Sequence, residues 1–132
     1  MNKASGKLKK IQELCLSENI MISTAESCTG GYLSKLLTDI SGSSKFYVGS
    51  VIAYSNSVKN DLLNVPNDIL EKYGAVSEEV SLLMAEGIFN SIKSDIAIST
   101  TGVMEQDGSA RSKKSQVFIT IKSEKTLSLI HI

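Results

Sequence analysis

Ile20-Met21-Ile22-Ser23-Thr24-Ala25-Glu26-Ser27-Cys28-Thr29-Gly30-Gly31-Tyr32-Leu33-Ser34-Lys35-Leu36-Leu37 reads as a strand handing over to a helix. Ile20, Met21 and Ile22 form a short apolar run, whereas Tyr32, Leu33, Leu36 and Leu37 recur at helical spacing. The residues between them are mostly small, hydroxyl-bearing or glycine. Unpaired N–H groups point outward at such a helix start, and the helix dipole favours negative charge. The turn therefore suits a phosphate or a developing oxyanion. It also suits an ordinary helix start, because Ser and Thr are good N-caps.

Outward from this segment, apolar strands alternate with helices. A first helix is predicted over 5–17, with Leu8, Ile11, Leu14 and Cys15 on one face. A buried strand follows at 20–25, and a second helix covers 29–40 and ends in the turn-forming Ser41-Gly42-Ser43-Ser44. Residues 46–54 are rich in β-branched and aromatic types and read as a second strand. A short helix begins near Asn56, and Pro66 suits the first turn of another, with Asn64 as its cap and Gly74 as its stop. Ser77 followed by Glu78 and Glu79 opens the clearest helix, whose stripe is Val80, Leu83, Met84, Ile88 and Ile92. A strand at 95–101, a polar loop at 102–115 and a hairpin of strands at 116–122 and 126–132 complete the chain. The expectation is a single α/β domain, a layered α/β/α sandwich on a mixed central sheet.

Composition narrows the function classes. The 132 residues suit one domain with a real core, and 42% apolar with 21% charged content is that of a soluble globular protein. Fourteen basic residues balance fourteen acidic ones, which argues against nucleic acid and anionic membrane as partners. Lys7, Lys9 and Lys10 read as the solvated face of the first helix. No apolar run approaches the ~20 residues that span a bilayer, and residues 1–10 lack the apolar centre of a secretion signal. Cys15 and Cys28 make no disulfide framework and fit a reducing cytoplasm. No metal cluster is spaced as ligands, and the one histidine, His131, lacks the partners of a Ser-His-Asp triad.

Five segments together resemble the CinA C-terminal domain family: TAESCTGG at 24–31, GSS at 42–44, VIAYSNSVK at 51–59, YGAVSEEV at 73–80 and STTG at 99–102. The resemblance covers about residues 8–122 of this chain. That family includes the bacterial nicotinamide-nucleotide amidohydrolases. The resemblance implies hydrolysis of the carboxamide of nicotinamide mononucleotide, giving nicotinic acid mononucleotide and ammonia, in pyridine-nucleotide salvage without a cofactor. An amide is a poor electrophile with a poor leaving group, so the reaction needs a nucleophile, a base and donors for an oxyanion.

The resemblance also implies the site. Ser44 matches the nucleophile and Lys59 its base, which must be neutral and so must lose proton affinity through burial or nearby positive charge. Ser27 matches the residue supporting the oxyanion, with Thr29, Gly30 and Gly31 beside it on the substrate side. Tyr54 matches a recognition tyrosine able to stack on a pyridine, and Thr101 a threonine assisting the pair. Cys28 is a rival nucleophile, since thiolates are favoured at helix N-termini. Glu26 reads either as an orienting hydrogen-bond acceptor or as an acidic helix cap. In this reading the hydroxyl at 44 meets the amine at 59 above the turn at 27–31.

Two departures from the family pattern keep a second class open, a nucleotide-binding or protein-interaction module that has lost turnover. The loop at 102–116 is largely stripped of the glycines and proline that active relatives carry, and Arg111, Lys113 and Lys114 stand there as alternative phosphate contacts. No position matches the substrate-binding arginine of the relatives' further C-terminal helix. Without that helix, Leu127, Leu129, Ile130 and Ile132 are predicted to be exposed, and the chain to form a dimer or larger assembly.

Overall fold

The computed structural model describes residues 3–103 and 115–132. Its elements, in chain order, are α1 (Lys3–Glu18), β1 (Ile22–Glu26), α2 (Tyr32–Thr38), a single 3-10 turn (Ser43–Lys45), β2 (Tyr47–Ile52), α3 (Asn56–Leu63), α4 (Asn67–Tyr73), α5 (Glu78–Ser91), β3 (Ile96–Val103), β4 (Gln116–Ser123) and β5 (Leu127–His131). The five strands form one sheet in the order β2-β1-β3-β4-β5. β1 runs parallel to both β2 and β3, while β4 and β5 add on antiparallel. This is the expected layered α/β/α sandwich on a mixed sheet.

Side chains alternate between the two faces, as a strand's two-residue period requires. Ala25 and Ala97 join Leu63, Leu70, Val80, Met84 and Ile88 in the core beneath α3, α4 and α5. Ile22 packs with Cys15, Leu37 and Phe46 on the opposite face, with Ile96 and Ile98 beside them. Gly87 lets α5 meet the end of α3 closely: a Cβ there would lie 2.1 Å from the Leu63 carbonyl oxygen.

Several boundaries differ from those predicted, each for a local reason. α2 begins at Tyr32, not at 29, because Gly30 (φ 59°) and Gly31 (φ 103°) take left-handed conformations that end the turn before the helix starts. Asn64 is not the cap of the following helix. It closes α3 in a left-handed conformation (φ 58°), and Pro66 stands at the head of α4. The inward stripe of α1 is buried Cys15 with half-buried Leu8 and Gln12, since Ile11 and Leu14 are exposed and Gln12 donates to the Ser41 carbonyl at 2.6 Å. β3 runs on to Val103, held by pairing with Gln116; most of the predicted loop, with Arg111, Lys113 and Lys114, lies outside the described residues. Leu127, Ile130 and Ile132 are exposed, while Leu129 is half-buried. Among the described residues no helix is long and apolar enough to cross a membrane.

Candidate active site

The three parallel strands end at the same edge of the sheet. β1 leads from there to a helix on one face and β2 to helices on the other. Open α/β sheets form a crevice where such connections diverge. Here the crevice is a cavity of about 380 Å³ lined by residues from the ends of all three strands and the Ala75-Val76 loop.

Ser27 follows β1 directly. Its N–H donates to the Thr100 carbonyl at 2.9 Å, and the neighbouring Glu26 carbonyl accepts from Ala53 N–H at 2.7 Å. The residue is thereby fixed between the ends of β3 and β2. Lys59 lies one turn into α3, which Ser55 caps by accepting from Val58 N–H. Its side chain is 1% exposed, and Nζ lies 3.1 Å from Ser27 Oγ and 2.8 Å from the Tyr54 carbonyl oxygen, to which it donates. Burial pushes the lysine below its ordinary pKa, opposed only by the nearby Cys28 sulfur in its thiolate form. A neutral Lys59 keeps its bond to the Tyr54 carbonyl and turns its lone pair to the Ser27 hydroxyl.

Cys28 lines the same cavity, yet burial raises its thiol above the usual range. The Thr100 hydroxyl and the N–H groups of Cys28 and Thr29 oppose that rise, and the Glu26 charge adds to it. A thiol so held is a poor nucleophile at neutral pH. Tyr54 is 75% exposed and lines the cavity mouth, so its ring is open to a ligand instead of packed in the core. Thr101 also lines the cavity, but its hydroxyl donates to the Ala75 carbonyl at 2.7 Å. It thus braces the opposite wall.

The remaining predicted residues stand elsewhere. Ser44 lies in the exposed 3-10 turn before β2, at the opposite end of that strand from Tyr54 and Lys59. Within one chain the serine beside Lys59 is therefore Ser27, and the expected meeting of positions 44 and 59 does not occur. The physical reason is the parallel sheet: residues after β1 and β2 share an edge, while a residue before β2 is carried to the other. Thr29, Gly30 and Gly31 shape the turn without lining the cavity; Thr29 donates to Glu26 at 2.7 Å. His131 stacks on Phe118 in the β4–β5 hairpin. No cluster of metal-ligating side chains occurs among the described residues.

Sequence reasoning missed Ala75, Val76 and Val103 as cavity walls. It also missed the direct Ser27–Lys59 contact, although the strand order offered the clue. Both residues follow parallel strands.

Comparison with known proteins bears on the family and the fold. The chain is 46% identical over 103 residues to a CinA-like protein of Cytophaga hutchinsonii, and 50% identical over 92 residues to one of Syntrophomonas wolfei. These matches cover 78% and 70% of the chain but only 25% and 22% of the relatives, so the chain spans about a quarter of their length. Among solved structures, the competence/damage inducible protein CihA of Agrobacterium tumefaciens superposes with TM-score 0.89 at 31% identity, over all of this chain and 80% of that one. Competence damage-inducible protein A of Klebsiella pneumoniae gives 0.91 at 25% identity, over 99% and 82%. The model of the CinA C-terminal domain matches residues 5–131, and the chain belongs to that family.

Proposed function

We propose that the domain hydrolyses the carboxamide of nicotinamide mononucleotide, with Ser27 as nucleophile and Lys59 as general base. The observation that carries this reading is the buried, pKa-lowered Lys59 amine 3.1 Å from the Ser27 hydroxyl. Lys59 takes the proton as Ser27 Oγ bonds to the carboxamide carbon, whose π electrons move to oxygen. The tetrahedral intermediate collapses by breaking the C–N bond, and the lysine ammonium returns its proton to the departing nitrogen, which leaves as ammonia. Water then gives a proton to Lys59 as it attacks the seryl ester; the C–Oγ bond breaks, the lysine ammonium reprotonates Ser27 Oγ, and the acid leaves as carboxylate with its proton passing to solvent. Tyr54 supplies an exposed ring for the pyridinium, where stacking and cation–π attraction act together.

The test is ammonia release from nicotinamide mononucleotide by the wild-type chain and by Ser27→Ala. We expect turnover to fall at least ~1000-fold in the variant, the scale of losing a covalent nucleophile. Undiminished turnover in Ser27→Ala would remove the serine from its role. A wild-type chain that binds the nucleotide without releasing ammonia would support the binding-module alternative.

A further inference from the structure

Glu26 is wholly buried and the proposed chemistry does not use it. We propose that it is a positioning residue: its carboxylate is the anion around which the 27–31 turn is built, and it holds Ser27 against Lys59. The catalytic half of this inference rests on the amidohydrolase reading; the structural half rests on the fold alone.

Five hydrogen bonds converge on the carboxylate, the longest from the Thr24 hydroxyl to Oε2 at 3.4 Å. Oε1 accepts from the Thr29 hydroxyl at 2.7 Å and from Leu33 N–H at 2.9 Å. Oε2 accepts from Ser34 N–H at 2.9 Å and from the Ser34 hydroxyl. Leu33 and Ser34 belong to the first turn of α2, so Glu26 consumes donors that an external anion would need. Thr100 of β3 reaches the Thr29 hydroxyl at 2.7 Å, tying the network to a third element. One residue thus joins β1, α2, β2 and β3, and the next residue in the chain is Ser27. Burial alone would raise the carboxyl's pKa, but the Ser34, Thr29 and Leu33 hydrogen bonds outweigh it and hold the group below the usual carboxylate range. The turn therefore has its own anion, and the Leu33 and Ser34 N–H groups are already taken by it.

Glu26→Ala leaves a carboxylate-sized gap with its donors still in place, and formate is the probe. Melting of the variant is expected to rise by several degrees in roughly 50 mM formate, whereas chloride at equal ionic strength moves neither protein. In the ammonia assay, kcat is expected to fall at least about tenfold with KM within about threefold, and formate to restore part of kcat. Formate acting no differently from chloride on melting would overturn the proposal. So would an unchanged kcat in an active enzyme. If the wild type releases no ammonia, the amidohydrolase reading fails, and the melting result still judges Glu26.

Ser34→Ala guards against a variant that does not fold. Tyr32 and Lys35 of α2, Tyr47 of β2 and Cys28 of the turn are the other titratable groups on the surrounding segments, and none of them is a carboxylic acid. A carboxyl whose pKa is depressed in the fold stabilises it above the unfolded value and loses that contribution as pH falls through the folded value. Removing the Ser34 hydroxyl raises the folded value, so the acid-unfolding midpoint is expected to move to higher pH. An unmoved midpoint would count against the proposal.

Discussion

Lys59 carries the tension of the site in a single side chain. Burial lowers its affinity for a proton, while its amine reaches a hydroxyl and a carbonyl. The sign of the pH dependence follows. A lysine whose pKa is lowered in the fold binds fewer protons there than in the unfolded chain, so its contribution to stability improves as pH rises towards the unfolded value of about 10.4. Lys59→Met removes that dependence. The wild type's melting temperature relative to Lys59→Met is therefore expected to increase from pH 7 to pH 9.5, read by calorimetry, and a flat difference would refute a lowered lysine. Ammonia release by the wild type is expected to rise with pH along the same limb, and in Lys59→Met to fall about 1000-fold.

At the scale of elements, two contacts set the cavity's shape. The Thr101 hydroxyl ties β3 to the Ala75-Val76 loop, which continues through Ser77 into α5. Thr101→Val keeps the volume and leaves the Ala75 carbonyl without its donor, costing about 1–2 kcal/mol in denaturant unfolding. If that wall contacts substrate, KM is expected to rise roughly tenfold (about 1.4 kcal/mol) while kcat changes less, since Ser27 and Lys59 are untouched. A normal KM in Thr101→Val would detach the loop from binding. Gly87 sets how closely α5 approaches α3. Ala is the better helix former, yet its Cβ would press on the Leu63 backbone, so Gly87→Ala is expected to lose about 1–3 kcal/mol in the same measurement. Unchanged stability would show that α3 can give way. The start of α5 was legible because Ser77 and the two glutamates act within one helical turn. The roles of Asn64 and Gln12 were not. The first depends on a left-handed backbone angle, and the second on which stripe of a weakly apolar helix meets the body.

For the whole molecule, alternating strands and helices made the layered fold legible, but pairing across the sheet was not. Ser44 stands nearer to Lys59 in sequence than Ser27 does, yet it is Ser27, 32 residues away, that touches the amine. Sequence proximity misled because β2 lies between positions 44 and 59 and carries the chain across the sheet. Its six residues, at about 3.3 Å each, put roughly 20 Å between its ends. A lysine side chain cannot bridge that span. Ser44→Ala is therefore expected to release ammonia within about twofold of the wild type, as exposed substitutions away from a site usually do. A loss above about tenfold in Ser44→Ala would raise the case of a second copy of the chain delivering its own Ser44 to this cavity. Mixing separately inactive Ser27→Ala and Ser44→Ala chains decides that case: restored turnover would mean that the site is shared between copies, and an inert mixture that each chain needs both hydroxyls itself.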